Sequence, residues 1–581
     1  MSEKNIDAFI VPSFDAHQSE YVPEHWKARQ WISGFTGSAG TVVITLKEAG
    51  LWTDGRYFIQ AENQLQGSSV KLFKMGQPGV PTYIEWIKEV VPANGVVGFN
   101  GKSMSVSIFK DMVKTYQSKK LNFETNYDLV GELWADRPAI PQVPVFTHDV
   151  KYAGKSRTEK LAEVRSEMQK LNVSYYLLSS LDDVAWLLNI RGGDVPNTPV
   201  VTAYVLISQT GCQLFIDQKK VNSDVKNELT TDDIEVLDYD AIEKAITSLK
   251  GEGAIIIDPD KTNVWLYKSV PGAFEIIQEP NITTNLKAIK NNTEIKNLRN
   301  SHIKDGVALV KFLLWLDGSL GKETITEINV DEKLVEFRQQ QELNLGPSFD
   351  TIAGYKEHAA MMHYKAVPGV EYSLEKEGML LIDSGGQYLD GTTDTTRTIV
   401  LGKLTEEQRK DFTLVLKAHI GLATAKFLHG CTCTHLDILA RRPLWEEGLD
   451  YRCGTGHGVG FLLSVHEGPQ GFRRAPVINT VVLEQGMILT NEPGIYKEDK
   501  HGVRTENTLL AVDDFETEYG KHMKFDTISY CPIDLDGLDV SLLTQQERDW
   551  LNNYHKEVYE KLSPSLNEEE KTWLQHETRA V

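Results

Sequence analysis

The feature that most narrows the fold is a weak repeat in the first half of the chain. AFIVPSFD (8–15) and YYLLSSLD (175–182) each read as an apolar strand followed by serine and aspartate. A tryptophan-bearing helical stretch ending near glycine follows each of them, WISGFTG and WLLNIRGG. Then come the apolar strands TVVIT (41–45) and AYVLI (203–207), and after them LWTD (51–54) and LFID (214–217). The features recur in the same order at an offset of roughly 165 positions, which points to duplication. Strands alternating with helical patterns predict two α/β domains of similar fold.

The rest of the chain divides around that pair. With 581 residues it is too long for one core, and length alone suggests about three or four domains. DRPAIPQVPVFT (136–147) carries three prolines and reads as an interdomain linker. The second repeat ends near Thr284. NTEIKNLRNSHIKDGVALVKFLLWL (292–316) then predicts a long helix, capped by Asn292 or Thr293, with Ile295, Leu298, Ile303, Val307, Val310 and Leu314 at helical spacing. The expected divisions are 1–140, 141–288, 289–526 and a C-terminal extension, 527–581. The tail, SLLTQQERDWLNNYHKEVYEKLSPSL, reads as charged helix that covers apolar surface or a partner.

Composition excludes several functions. With 61 basic against 82 acidic residues the net charge is −21, which argues against binding nucleic acid through its phosphates. No apolar run approaches the roughly 18 residues that a membrane span needs. The N-terminus, MSEKNIDAFIVPS, has no signal-peptide pattern, so a soluble cytoplasmic protein is expected. Five cysteines without a CxxC pair fit a reducing compartment and no disulfide framework. Cys431-Thr432-Cys433, after a helical stretch expected at 414–428, reads as ordinary thiols.

Chemistry concentrates in the third domain. LIDSGGQYLDGTTDTTRTI (381–399) places Asp383 and Asp394 beside apolar, β-prone runs, where a buried carboxylate is costly unless neutralised. Asp390-Gly391 reads as a turn between them. His457 lies in CGTGHGVGF, Glu492 in GMILTNEPGIY and Glu506 in HGVRTENTLLAV. Together these carboxylates and the imidazole carry about four negative charges and cannot share a site without cations. Two divalent ions balance them, and oxygen-rich ligation with one nitrogen suits Mn²⁺, Co²⁺, Mg²⁺ or Zn²⁺ at a catalytic site. Two such ions roughly 3.5 Å apart hold a hydroxide and polarise a carbonyl, so metal-assisted hydrolysis is the expected reaction. An EF-hand reading of DSGGQYLDG fails on the spacing of its acids.

DSGGQYLDGTTDTTRT, GTGHGVG, VHEGP, NEPGIY and GVRTEN resemble the catalytic motifs of the pita-bread metallopeptidases, in particular the three-domain, cytosolic type of X-prolyl aminopeptidase (aminopeptidase P). SGFTGSAG and WTDGRYF resemble that family's N-terminal domain. The resemblance implies an α/β (α+β) fold: two creatinase-like domains, a pita-bread catalytic domain and an extension that serves dimerisation. It implies that Asp383, Asp394, His457, Glu492 and Glu506 bind two metal ions, with Asp394 and Glu506 bridging. Manganese is the first expectation for them, with zinc or cobalt as alternatives. Glu492 takes a proton from the bridging hydroxide's parent water. His363 in MMHYKAVP and His466 act on the substrate side. Arg504 holds a ligand carboxylate from the strand face it shares with Glu506, and Tyr496 lines the pocket. The implied substrates are short peptides with proline in second place, and the implied assembly is a cytoplasmic homodimer acting on neither nucleic acid nor membrane. One position departs from the family: Cys453 stands where a substrate-side histidine is usual. Rival readings are a prolidase confined to X-Pro dipeptides, a metal-free creatinase-like hydrolase, and a non-catalytic pita-bread binding protein.

Overall fold

A computed structural model describes residues 1–474 and 481–581. They form two compact units: Met1–Val150 with Lys155–Thr284, and Lys151–Gly154 with Asn285–Val581.

The first unit contains the repeat as two six-stranded sheets. The first comprises β1 (Ala8–Pro12), β2 (Thr41–Thr45), β3 (Ala49–Thr53), β4 (Val70–Lys74), β5 (Val96–Phe99) and β6 (Asn122–Glu124), in the order β4-β3-β2-β1-β5-β6. The second comprises β7 (Tyr175–Leu178), β8 (Ala203–Ser208), β9 (Cys212–Ile216), β10 (Ile234–Leu237), β11 (Gly253–Ile257) and β12 (Phe274–Gln278), in the order β10-β9-β8-β7-β11-β12. The pattern is the same, and so are the directions. The β1–β2–β3 and β7–β8–β9 pairings are antiparallel, and the flanking pairings are parallel. Each β1 residue is buried, as expected of a strand covered on both faces. His17 ties the repeats together: its Nδ1 faces the Ser179 carbonyl at 2.8 Å and its Nε2 the Tyr239 hydroxyl at 2.9 Å. Between the sheets, residues 136–145 hold no helix or strand, in keeping with a proline-rich linker.

The second unit is built on helices α1 (Asn292–Ser319), α2 (Glu327–Gln339), α3 (Glu406–Ala423), α4 (Cys433–Trp445) and α5 (Gln545–Leu562) around several sheets. One sheet has three strands, β13 (Ile352–Tyr355), β14 (Met379–Ser384) and β15 (Thr395–Val400). A larger one includes β16 (Gly456–Gly458), β17 (Ile488–Asn491) and β19 (Asn507–Thr517), while β18 (His501–Arg504) pairs separately with Gly494–Lys497.

Three sequence expectations change here. The cap of α1 is Asn291, whose side chain accepts from the Thr293 and Glu294 amides at 2.9 and 3.0 Å while Glu294 returns a bond to the Asn291 amide. A cap at Asn292 or Thr293 would put Ile295 or Lys296 at the reciprocal position, and neither can accept that bond. The helix expected at 414–428 starts at Glu406, where Thr405 and Gln408 form a capping box, and ends at Ala423. Lys426–Leu428 instead pairs as a strand with Gly520–Thr527. Asp390 does sit in a turn, but it is buried and paired with Lys304 at 2.6 Å. The charged tail covers apolar surface of its own unit: Leu551, Val558 and Leu562 of α5 are fully buried in one core with Val415, Leu416 and Ala418 of α3. Each such side chain contributes about 1.5–3 kcal/mol.

Candidate metal centre

Asp383 is the second-last residue of β14, opposite Ile352 of β13 and Thr396 of β15. Asp394 stands just before β15. Gly385 lets their backbones close up, since a Cβ there would lie 1.9 Å from the Thr393 carbonyl oxygen. Gly456 does the same for β16, where a Cβ would lie 1.9 Å from the Thr490 carbonyl oxygen. That approach sets His457 against β17 and Glu492, which follows it. The His457 amide donates to Thr490 Oγ1 at 3.1 Å, and the same hydroxyl donates to Glu492 Oε1 at 3.3 Å. The Glu492 amide donates to the Thr455 carbonyl at 2.8 Å. Glu506 occupies the junction of β18 and β19, its amide on the Thr396 carbonyl at 3.1 Å and its Oε2 accepting from Thr396 Oγ1 at 2.7 Å.

The side chains converge. Donor atoms of Asp394, His457 and Glu506 lie within 4.8 Å of one another. His457 Nδ1 faces the Gly458 carbonyl at 2.9 Å, an acceptor only, so Nδ1 carries the proton. Nε2 faces Asp394 Oδ2 at 3.4 Å and Glu492 Oε1 at 3.5 Å. Arg504 Nη2 donates to Asp383 Oδ2 at 2.5 Å, Nη1 to the Tyr496 hydroxyl at 2.7 Å and Nε to Thr396 Oγ1 at 3.1 Å.

Electrostatics make this an unusual place for acids. Burial raises the Asp394 carboxyl well above its ordinary range, and the charges of Asp383 and Glu492 raise it further. Burial and Asp394 do the same to Glu506. Burial pushes Glu492 up to about 7, with Arg504 opposing and Asp383 adding. Asp383 Oδ1 is buried with no hydrogen-bond partner among the described residues. An orphaned carboxylate oxygen, an imidazole nitrogen turned toward carboxylates and crowded buried acids are what a divalent cation site requires, so the residues fit metal.

The remaining expected residues surround this cluster. The His466 ring stands edge-on to His457 with centroids 4.3 Å apart. His363 is half-buried after the short helix Lys356–Ala360, next to Met362, whose carbonyl accepts from Arg504 Nη1 at 3.5 Å. Cys453 is half-buried with Tyr496 and Tyr451 in one apolar cluster, its carbonyl held by Arg441 at 2.9 Å. Arg504 does not share a strand with Glu506: β18 ends at Arg504, and the carboxylate it holds is Asp383. The two residues therefore do not share a strand face, and Thr396 is what links their side chains. Thr396 and Thr490 were not singled out from sequence, although TTRT and LTNEP flank the ligand candidates. Lys287 and Lys290, which bracket the Glu467 carboxylate beside His466, could not have been found, because they lie 180 and 177 residues away in sequence.

Known proteins match this arrangement from end to end. Residues 296–513 match the metallopeptidase family M24, 521–581 its C-terminal region, and 1–125 and 136–294 the creatinase/prolidase N-terminal domain. Aminopeptidase P2 of Arabidopsis thaliana is 41% identical over 616 residues, covering 99% of this chain and 86% of its own. Xaa-Pro aminopeptidase 1 of Dictyostelium discoideum is 39% identical over 601 residues, covering 100% and 95%. The solved X-prolyl aminopeptidase of Caenorhabditis elegans, a cytosolic enzyme with a di-nuclear active site, superimposes with a TM-score of 0.95 at 34% identity, over 99% of this chain and 95% of that one. The Xaa-Pro dipeptidase of Bacillus anthracis, 24% identical with a TM-score of 0.51 over 65% of this chain, shares the fold. With the creatinase-type pair, the M24 domain and its C-terminal region all matched in order, the chain belongs to the aminopeptidase P family of M24 metallopeptidases.

Proposed function

We propose that this chain is a metal-dependent exopeptidase that removes the N-terminal residue from short peptides with proline in second place. The observation that carries the reading is the convergence of Asp394, His457 and Glu506, with Glu492 facing His457 Nε2 and Asp383 held by Arg504 beside them. Full-length similarity to Xaa-Pro aminopeptidases supports the substrate class over the prolidase reading, since the dipeptidase likeness covers 65% of the chain and its fold only. When bound, a pair of divalent cations supplies an activated water and polarises the scissile carbonyl. Asp394 and Glu506 would be shared by the two cations, Asp383 would add to the shell of one, and His457 with Glu492 would add to that of the other. Arg504 keeps Asp383 oriented through Oδ2 and leaves Oδ1 for ligation.

Glu492 accepts the proton that the attacking water gives up. As the scissile C–N bond breaks, the departing proline nitrogen leaves as an amine and must gain a proton. His363 and His466 serve that step and orient the substrate, and Tyr496 and Cys453 line the pocket. Manganese is the proposed metal, in a cytoplasmic homodimer. The divisions 1–140, 141–288, 289–526 and 527–581 are proposed as its creatinase-like domains, catalytic domain and dimerising extension.

The test pairs metal analysis of the purified protein with cleavage of X-Pro-X tripeptides and X-Pro dipeptides. Tripeptide cleavage that is lost on chelation is expected. Turnover of dipeptides alone would make it a prolidase, and activity indifferent to chelation would remove the metal from the mechanism.

A further inference from the structure

We propose that Glu327, outside the metal cluster, is a positioning residue that holds His363 in place for proton transfer. This rests on the substrate-side role given to His363 above. Glu327 is the first residue of α2 and is fully buried. Its carboxylate gathers donors from both sides of an irregular segment. Oε1 accepts from the Tyr355 amide at 2.7 Å, Oε2 from the Tyr364 hydroxyl at 2.8 Å and the Tyr372 amide at 2.9 Å, and both oxygens face His358 Nδ1 at 3.0 Å. The His358 ring is sandwiched, 3.9 Å from Tyr372 at an interplanar angle of 8° and 4.5 Å from Tyr364 at 27°.

Residues 361–372 contain no helix or strand, and 367–370 are exposed. His363 therefore has no regular structure to fix it. Its two neighbours are both pinned: the Met362 carbonyl lies on Arg504, which also holds Asp383, and the Tyr364 hydroxyl lies on Glu327. Tyr364 also packs with Ile352, Ala359 and Leu381, against the strand that carries Asp383. A fully buried carboxylate is costly, and saturating it with hydrogen bonds is what makes it tolerable. Here the saturation has a mechanical result. The segment around His363 is clamped to α2 on one side and to the Arg504–Asp383 pair on the other.

The test is a double-mutant cycle on an X-Pro-X peptide, with metal content measured alongside. Glu327→Gln keeps the shape but turns amide hydrogens toward donors. It should lower kcat roughly tenfold to a hundredfold, as expected when a catalytic group is misplaced by about an ångström. KM should stay within about twofold and metal content should not change. Tyr364→Phe, which removes one hydroxyl, should lower kcat in the same sense by about tenfold and serves where Glu327→Gln does not fold. In a His363→Ala background neither change should lower kcat further. If His363→Ala alone keeps wild-type kcat, both the role of His363 and this proposal fall. If His363→Ala is slow but Glu327→Gln or Tyr364→Phe costs the same factor again in that background, the positioning role alone is overturned. Loss of bound metal in both Glu327→Gln and Tyr364→Phe would overturn it as well.

Discussion

Two kinds of buried acid stand in the same catalytic unit, and they differ in who neutralises them. Asp305 is held by Arg338 at 2.8 and 3.1 Å and by the Tyr388 hydroxyl, and Glu467 is bracketed by Lys287 and Lys290. Although burial works against it, Arg338 keeps the Asp305 carboxyl below its ordinary range. Asp394 and Glu506, buried to a similar degree, are pushed the other way, first by burial and then by neighbouring carboxylates: Asp383 and Glu492 act on Asp394, and Asp394, Asp383 and Glu492 act on Glu506. Residue type and burial are the same, so the difference lies in the counter-charge. Where the chain answers both carboxylate oxygens with its own cations the acid is structural, whereas Arg504 answers only Oδ2 of Asp383. Where the chain withholds one, a cation from solution completes the site.

The largest effect should come from neutralising the second kind. Asp394→Asn or Glu506→Gln should lose bound metal and reduce kcat/KM by at least about a thousandfold, roughly 4 kcal/mol of transition-state stabilisation. The same variants should raise the melting temperature of the metal-free protein, because they relieve repulsion. A metal-free Asp394→Asn protein less stable than wild type would break the comparison.

Neutralising the first kind should do the opposite. Asp305→Ala leaves Arg338 buried without a partner and should destabilise the protein by about 3–5 kcal/mol in denaturant unfolding, whatever the metal content. A change within about 0.5 kcal/mol would mean that Arg338 finds another partner. Gly456→Ala tests whether the cluster depends on close backbone approach. With Thr490 carbonyl in the way, β16 must shift, and metal affinity should fall by about tenfold to a hundredfold in titration calorimetry.

The smallest effect concerns the reverse charge case. His555 is a buried base on α5, and burial followed by Arg397 lowers its pKa to about 4. The unfolded chain binds that proton at about 6.5, so between these values the unfolded state holds more protons and stability falls as pH falls. The loss should approach about 3 kcal/mol by pH 4. His555→Leu should flatten that part of the stability profile, and an unchanged profile would place the acid sensitivity elsewhere.

Much of this was legible in the chain itself. The duplicated sheets follow from matching apolar strands and helical stretches in a repeated order, because alternating patterns encode local structure directly. The site acids were legible for a different reason. A carboxylate next to a buried apolar run conflicts with its surroundings, and Asp383, Asp394, Glu492 and Glu506 each show that conflict in one short motif. Asp390 shows the limit of such reading, since its turn was evident but its burial against Lys304 was not. The cap of α1 and the end of α3 were misplaced for a local reason, as reciprocal side-chain bonds and strand capture at Lys426–Leu428 outweigh hydrophobic spacing.

By itself, the sequence determined the elements, the repeat, the identity of the acids and, through its motifs, the family they resemble. Tertiary structure decided which charges are answered and by what. That Lys287 and Lys290 serve Glu467, that Arg504 serves Asp383 instead of Glu506, and that Glu327 ties down the segment around His363 are all long-range pairings. Coulomb and hydrogen-bond partners are selected by distance in space, and separation along the chain carries almost no information about that distance.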